Sequence, residues 1–181
     1  MINDPAAGHE KQWMALSALL FLFSMPSLFS TTGCLRYAFN SAVIPDSVKT
    51  VKVNFIENRA RYVNPQLSPR LTDRVRQKIT GQTKLVQTNS DNADWEISGE
   101  IREYSVSTSG IANQREATNR LTVSVHIIFF DRKADITKEH DVTRNYDFSA
   151  SQSLQQAENA LQDEMIRTLT DEIFNRIFSD W

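Results

Sequence analysis

The sequence has a single cysteine, Cys34, so no disulfide can close within the chain. Its three histidines, His9, His126 and His140, stand far apart, and none has a partner at metal-ligand spacing. With only five glycines and five prolines in 181 residues, there is no low-complexity tract, no glycine-rich loop opening a helix and no nucleophile elbow. Long hydrophobic runs are also missing. The one apolar stretch, residues 14–25, is about a dozen residues, against about 20 for a bilayer-spanning helix, and Pro26 cuts it off. Charge of one sign is scarce too: the formal net charge is −2, which argues against a nucleic-acid binder driven by positive charge. Glu96 and Glu100 share a strand face, but salt-bridged surface pairs are commoner than acid/base pairs. No catalytic constellation emerges, and no cofactor is implied. The residues describe a binding or scaffolding module, not an enzyme.

The chain does carry a leader. A short apolar run closed by small residues is the pattern of a secretory signal. It stops at Gly33-Cys34, and a small residue directly before a cysteine is what a bacterial lipoprotein signal peptidase requires. Lipid is attached to the thiol, and cleavage leaves that cysteine first in the mature chain. Thr31 stands where many such signals carry leucine, and Lys11 is the leader's one basic residue. The expectation is that residues 1–33 are removed, that Cys34 is the lipid-attachment residue, and that residues 34–181 form a single domain. The alternative is a buried structural cysteine near the start of a domain; the lipidated cysteine is the better reading.

Beyond residue 48 the periodicity is readable. Val51, Val53 and Phe55 alternate as in a half-buried strand. Ser68-Pro69 reads as an N-cap followed by proline at the first helical position, and Leu71, Val75 and Ile79 give a helix from about 69 to 80, with Gly81 as its cap. Residues 89–94 read as a turn. Trp95, Ile97, Gly99 and Ile101 alternate, then the apolar parity flips to Tyr104 and Val106, which implies a β-bulge near Arg102-Glu103. Residues 107–119 form a polar hairpin connection. Leu121, Val123, Val125, Ile127 and Phe129 alternate against Thr122, Ser124 and His126, while Ile128 and Phe130 make that strand's end apolar on both faces. Val142, Tyr146 and Phe148 mark a last strand. Ser153 with Gln156 resembles a capping box, and a long helix runs from there through Leu154, Ala157, Leu161, Met165, Leu169, Ile173 and Ile177. The order β-α-β-β-β-α predicts an α+β two-layer sandwich, with two helices packed on a four-stranded mixed sheet.

Charge is uneven along this order. Residues 59–84 are rich in arginine and lysine, and residues 151–181 are rich in carboxylates. Two readings are open: opposite solvated helix faces that suit each other, or a basic segment that meets an anionic partner.

Taken in order, several short segments resemble the LptE family of lipopolysaccharide-assembly lipoproteins, in the form found in Bacteroidetes-type bacteria. They are Cys34 after a leader, Ser41 to Pro45, Phe55 with Asn58-Arg59-Ala60, Val63-Asn64-Pro65 and Gly99-Glu100-Ile101. To these add Asn119-Arg120-Leu121-Thr122-Val123 and the stretch from Asp171 to Trp181. The resemblance implies a non-enzymatic lipoprotein, anchored in the outer membrane through its lipid and facing the periplasm. It implies two partners: an LptD-type outer-membrane β-barrel, which the protein plugs and helps assemble, and lipopolysaccharide, which the pair delivers to the outer leaflet. Nucleic acid is not among the partners. Lipopolysaccharide is anionic, which directs attention to Arg115 and Arg120, in and just after the polar hairpin connection, as lipopolysaccharide-binding residues. The alternative is a structural or pilot lipoprotein of another cell-envelope complex.

Overall fold

Strand-forming alternation and one helical crossover order the chain from its amino-terminal side. The structure, a computed structural model, describes residues 44–109 and 118–179. In chain order the elements are β1 (Thr50–Val53), β2 (Glu57–Asn58), α1 (Leu67–Gln82), β3 (Val86–Gln87), β4 (Trp95–Ser109), β5 (Thr118–Asp131), β6 (Ile136–Ser149) and α2 (Leu154–Phe178). The sheet runs β3-β1-β4-β5-β6, with β2 also on β4. It is mixed: β1 is parallel to both β3 and β4, whereas β4, β5 and β6 form an antiparallel meander.

The sheet therefore has six strands where the sequence predicts four. The two extra strands, β2 and β3, are two residues long each, too short to show alternation. β2 is in effect a continuation of β1 along the same edge of β4. Val53 lies opposite Ile97 and Glu57 opposite Glu100, so the β1 side takes one more residue than β4 over this interval. The slack turns Ile56 into the core, where its amide donates to Thr72 Oγ1 at 3.0 Å, and leaves Phe55 more than half exposed. The parity flip in β4 has the same cause. Ile101 pairs with Val125 and Glu103 with Ser124, leaving Arg102 as the bulged residue.

Both helices lie on one face of the sheet. Leu67, Leu71, Val75 and Ile79 of α1, and Ala157, Met165, Leu169, Ile173 and Ile177 of α2, share one core with the inward residues of the strands. Trp95 anchors that core, edge-on to Phe129 at 5.0 Å and tilted against Phe178 at 5.9 Å. Gly99 is required by close approach. A Cβ there would stand 2.6 Å from Ile127 Cδ1 and 2.8 Å from the His126 carbonyl oxygen.

The ends of the two helices differ. α2 begins as the sequence predicts: Ser153 Oγ accepts from the Gln156 amide, and the Gln156 side chain accepts from the Ser153 amide. α1 does not begin at a Ser68 cap. It starts at Leu67 with Gln66 as a cap that makes no side-chain bond, because Asn64 organises the entry by accepting the Gln66 amide on Oδ1 at 3.0 Å. Pro69 then sits in the first turn, where its missing N–H has no helical acceptor to lose. Ser68, freed of the capping role, is buried. At the other end Gly81 lies inside the helix and Thr83 caps it, its N–H reaching the Ile79 carbonyl at 3.0 Å.

Two polar clamps tie loops to this frame. Asp94, at the head of β4, accepts from the amides of Lys49 and Thr50 at 2.7 and 3.0 Å and pairs with Lys133 at 3.0 Å. The Lys49 amide, foremost among these partners, holds the Asp94 carboxyl well below the usual carboxylate range. Glu158 of α2 accepts from the hydroxyls of Tyr104 and Tyr62 at 2.8 and 3.4 Å, while the two rings stack at 5.4 Å. Burial, assisted by this carboxylate, pushes the Tyr104 hydroxyl up.

Candidate functional site

The face of the sheet turned away from the helices is the surface with most organised chemistry. The β5–β6 register places polar residues of this face directly opposite one another on four consecutive rungs: Arg120 with Asp147, Thr122 with Asn145, Ser124 with Thr143, and His126 with Asp141. Every rung is closed by a side-chain hydrogen bond. Arg120 donates to both Asp147 oxygens, from Nε at 2.7 Å and from Nη2 at 3.0 Å. Thr122 Oγ1 donates to Asn145 Oδ1 at 2.9 Å, and Thr143 Oγ1 to Ser124 Oγ at 3.0 Å. His126 Nδ1 lies 2.7 Å from Asp141 Oδ1. Directly opposite pairs of this kind fix strand register and hold each other's rotamers.

His126 is the least expected member. Alternation puts it on the polar face, yet it is only 5 % exposed. It stands between Glu100 on β4 and Asp141 on β6, each directly across the ladder, and its Nε2 faces Glu139 at 3.4 Å. Arg102, carried onto this face by the bulge, binds Glu100 at 2.7 Å and approaches Asp141 at 3.8 Å. That guanidinium is the main cause holding the Glu100 carboxyl below its ordinary range. Arg59 closes the network against Glu100 at 3.3 Å. Both ring nitrogens of His126 thus lie near carboxylates, Nδ1 within hydrogen-bond distance of Asp141. His140 falls on the helix-facing side of β6, opposite Ile127, and is partly exposed.

The other residues singled out from the sequence fall as follows. Cys34 and Arg115 lie outside the described residues. Arg120 heads the polar ladder, and Asp147 occupies its guanidinium. Glu96 and Glu100 are ion-paired, Glu96 to Lys52 at 3.9 Å and to Arg132 at 3.5 Å. Ile128 and Phe130 are half-buried at the lower end of the face, where the Arg132 guanidinium lies 5.3 Å from the Phe130 ring centroid. The opposite charges of the two helical segments do meet: Lys78 pairs with Asp171 at 2.8 Å and Arg70 with Asp163 at 3.5 Å. Among the described residues no group of histidine, cysteine and carboxylate could hold a metal ion, and no helix is long and apolar enough to cross a membrane.

What this face offers is a preorganised polar surface. The ladder partners on β6 are not legible in the sequence, because alternation tells which residues share a face but not which strand positions face each other.

A family model described as LptE, lipopolysaccharide-assembly, matches residues 48–177. The chain belongs to the LptE family. Membership in the LptE family gives it a role in lipopolysaccharide assembly, at the cell envelope. No curated protein matches it. Among solved structures it is similar in fold to a neuraminyllactose-binding hemagglutinin homolog from Helicobacter pylori, with a TM-score of 0.51 at 8 % identity over 75 % of this chain and 86 % of that one. Looser likenesses include a hypothetical protein from Chlamydia trachomatis, with a TM-score of 0.49 and 14 % identity over 72 % of this chain and 95 % of that one. Another is a minor lipoprotein from Acinetobacter baumannii, with a TM-score of 0.43 and 17 % identity over 72 % and 88 %. The LptE match runs from just before β1 to the last turn of α2, so it spans every element described here.

Proposed function

We propose that this LptE-family chain is an outer-membrane lipoprotein, tethered through Cys34 after removal of residues 1–33, that plugs and helps assemble an LptD-type β-barrel. In that role residues 34–181 act as one domain on the periplasmic side and take part in moving lipopolysaccharide to the outer leaflet. The protein works by binding and not by catalysis. The family match over residues 48–177 is the observation that carries this reading. The polar ladder is consistent with it, since lumens of large outer-membrane barrels are polar and a plug must present polar surface to them.

Purification of the tagged protein from outer membranes in mild detergent is the decisive experiment. Recovery of a stoichiometric large β-barrel, with loss of surface lipopolysaccharide on depletion, is the expected result. Recovery of the monomer alone would sink the proposal, and recovery with a different envelope machine would assign it a pilot role there. Labelling with a fatty-acid analogue addresses the tether: Cys34→Ala is expected to abolish it. For lipopolysaccharide the proposed contacts are Arg115 and Arg120. Because Asp147 already holds Arg120 in a two-point pair, Arg120→Ala is expected to weaken lipopolysaccharide binding less than Arg115→Ala does.

A further inference from the structure

A second surface, on the helical layer, carries charge that the fold leaves unused. α1 and α2 flank an open groove of about 590 Å³, within the size range of small-ligand sites. Arg70, Arg74 and Gln77 rim it from α1, Glu164 and Arg167 from α2, and the largely buried Ile166 also lines it. Asp73 and Asp163 also line the groove, and both are already engaged: Asp163 lies 3.5 Å from Arg70, and Asp73 lies 3.4 Å from Arg76. Among the described residues, the side chains of Arg74, Arg167 and Glu164 make neither an ion pair nor a hydrogen bond. The rim therefore presents two uncommitted guanidiniums and one uncommitted carboxylate.

That pattern has a specific complement. Guanidinium groups match phosphate through paired, charge-assisted N–H donors, and a carboxylate beside them matches an ammonium group. From this we infer that the groove binds the phosphoethanolamine head group of a membrane lipid, with the phosphodiester on Arg74 and Arg167 and the primary ammonium on Glu164. A lipid, not a free phosphoester, is assigned because the groove is open and does not enclose its occupant. Acyl chains can therefore leave it toward solvent or a membrane surface. The inference stands apart from the barrel-plug reading and does not rest on it.

Calorimetric titration of the purified chain with dihexanoyl-phosphatidylethanolamine, kept below its micelle concentration, tests the assignment. Dihexanoyl-phosphatidylglycerol, dihexanoyl-phosphatidylcholine and free O-phosphoethanolamine serve as comparators. The ethanolamine lipid is expected to bind tightest. Arg74→Gln with Arg167→Gln is expected to lose about tenfold or more against every lipid, as befits removal of charged hydrogen bonds. Glu164→Gln is expected to erase the preference for ethanolamine over glycerol while retaining phosphate binding. Should the double variant not fold, as read by circular dichroism, each single arginine variant carries the same comparison with a loss of about threefold. Four results would overturn the inference: no binding of the ethanolamine lipid, equal binding of the glycerol lipid, equal binding of free O-phosphoethanolamine, or arginine variants that bind like the wild type.

Discussion

Gly99→Ala is the sharpest probe of how closely β4 and β5 approach. A Cβ at this position would lie 2.6 Å from Ile127 Cδ1 and 2.8 Å from the His126 carbonyl oxygen, both well inside ordinary contact. The first obstacle is the end of a flexible side chain and can turn away. The second is backbone within the β4–β5 ladder and cannot move without disturbing the pairing of Gly99 with Ile127. Overpacking of this kind costs about 1–3 kcal/mol, and the reduced entropy of the unfolded chain returns about 0.4–1 kcal/mol. A net loss of about 1–1.5 kcal/mol is expected from the two terms together, read as a lower midpoint at unchanged m-value in urea unfolding followed by far-ultraviolet circular dichroism. Ile127→Val removes Cδ1 and alone should cost about 1 kcal/mol. The double variant should then be less destabilised than the two singles added together, by about 1 kcal/mol, because the two changes share one contact. A Gly99→Ala protein as stable as the wild type would refute the close approach. Strict additivity would show that the carbonyl alone, and not Cδ1, is the obstacle.

Three further outcomes follow from the clamps and the cap. Asp94→Ala strips the acceptor from the Lys49 and Thr50 amides, and should destabilise by about 2–3 kcal/mol near neutral pH, measured by thermal or urea unfolding. Asp94→Asn resolves the pH dependence. The folded carboxyl titrates below its unfolded value, so its contribution is fully present above about pH 5 and is lost as pH falls toward the folded value. The gap between wild type and Asp94→Asn should accordingly shrink by up to about 1.4 kcal/mol per pH unit below about pH 4, and a gap independent of pH would exclude this assignment. Ser153→Ala breaks the capping box of α2 and should cost about 1 kcal/mol, visible as a lower Tm.

Much of this fold was legible where one physical signal acts alone. The alternation from Leu121 to Phe129, the bulge at Arg102 and the Ser153 capping box each depend on local periodicity or a local hydrogen bond, and the structure places them as read. The failures share a different origin. Ser68 has the residue type and the following proline of a cap, but Asn64 two residues before Gln66 takes the organising role, and nothing local ranks one over the other. β2 and β3 exist only because β4 and β1 offer them edges, so their signal lies elsewhere in the chain. The polar ladder was half-legible. Thr122, Ser124 and His126 announce a polar face, whereas their partners Asn145, Thr143 and Asp141 depend on a register that the connection at Asp131–Ile136 sets in three dimensions. The burial of His126 follows from those partners, and alternation alone points the other way.

The short strand β1 has a mechanical consequence. It is held on both sides by parallel neighbours, β3 and β4, and its leading end is gripped by Asp94 through two successive amides. A pull on the segment preceding β1, directed along the strand, cannot peel hydrogen bonds away one at a time. It loads both ladders and the carboxylate clasp in shear, so that they must fail together.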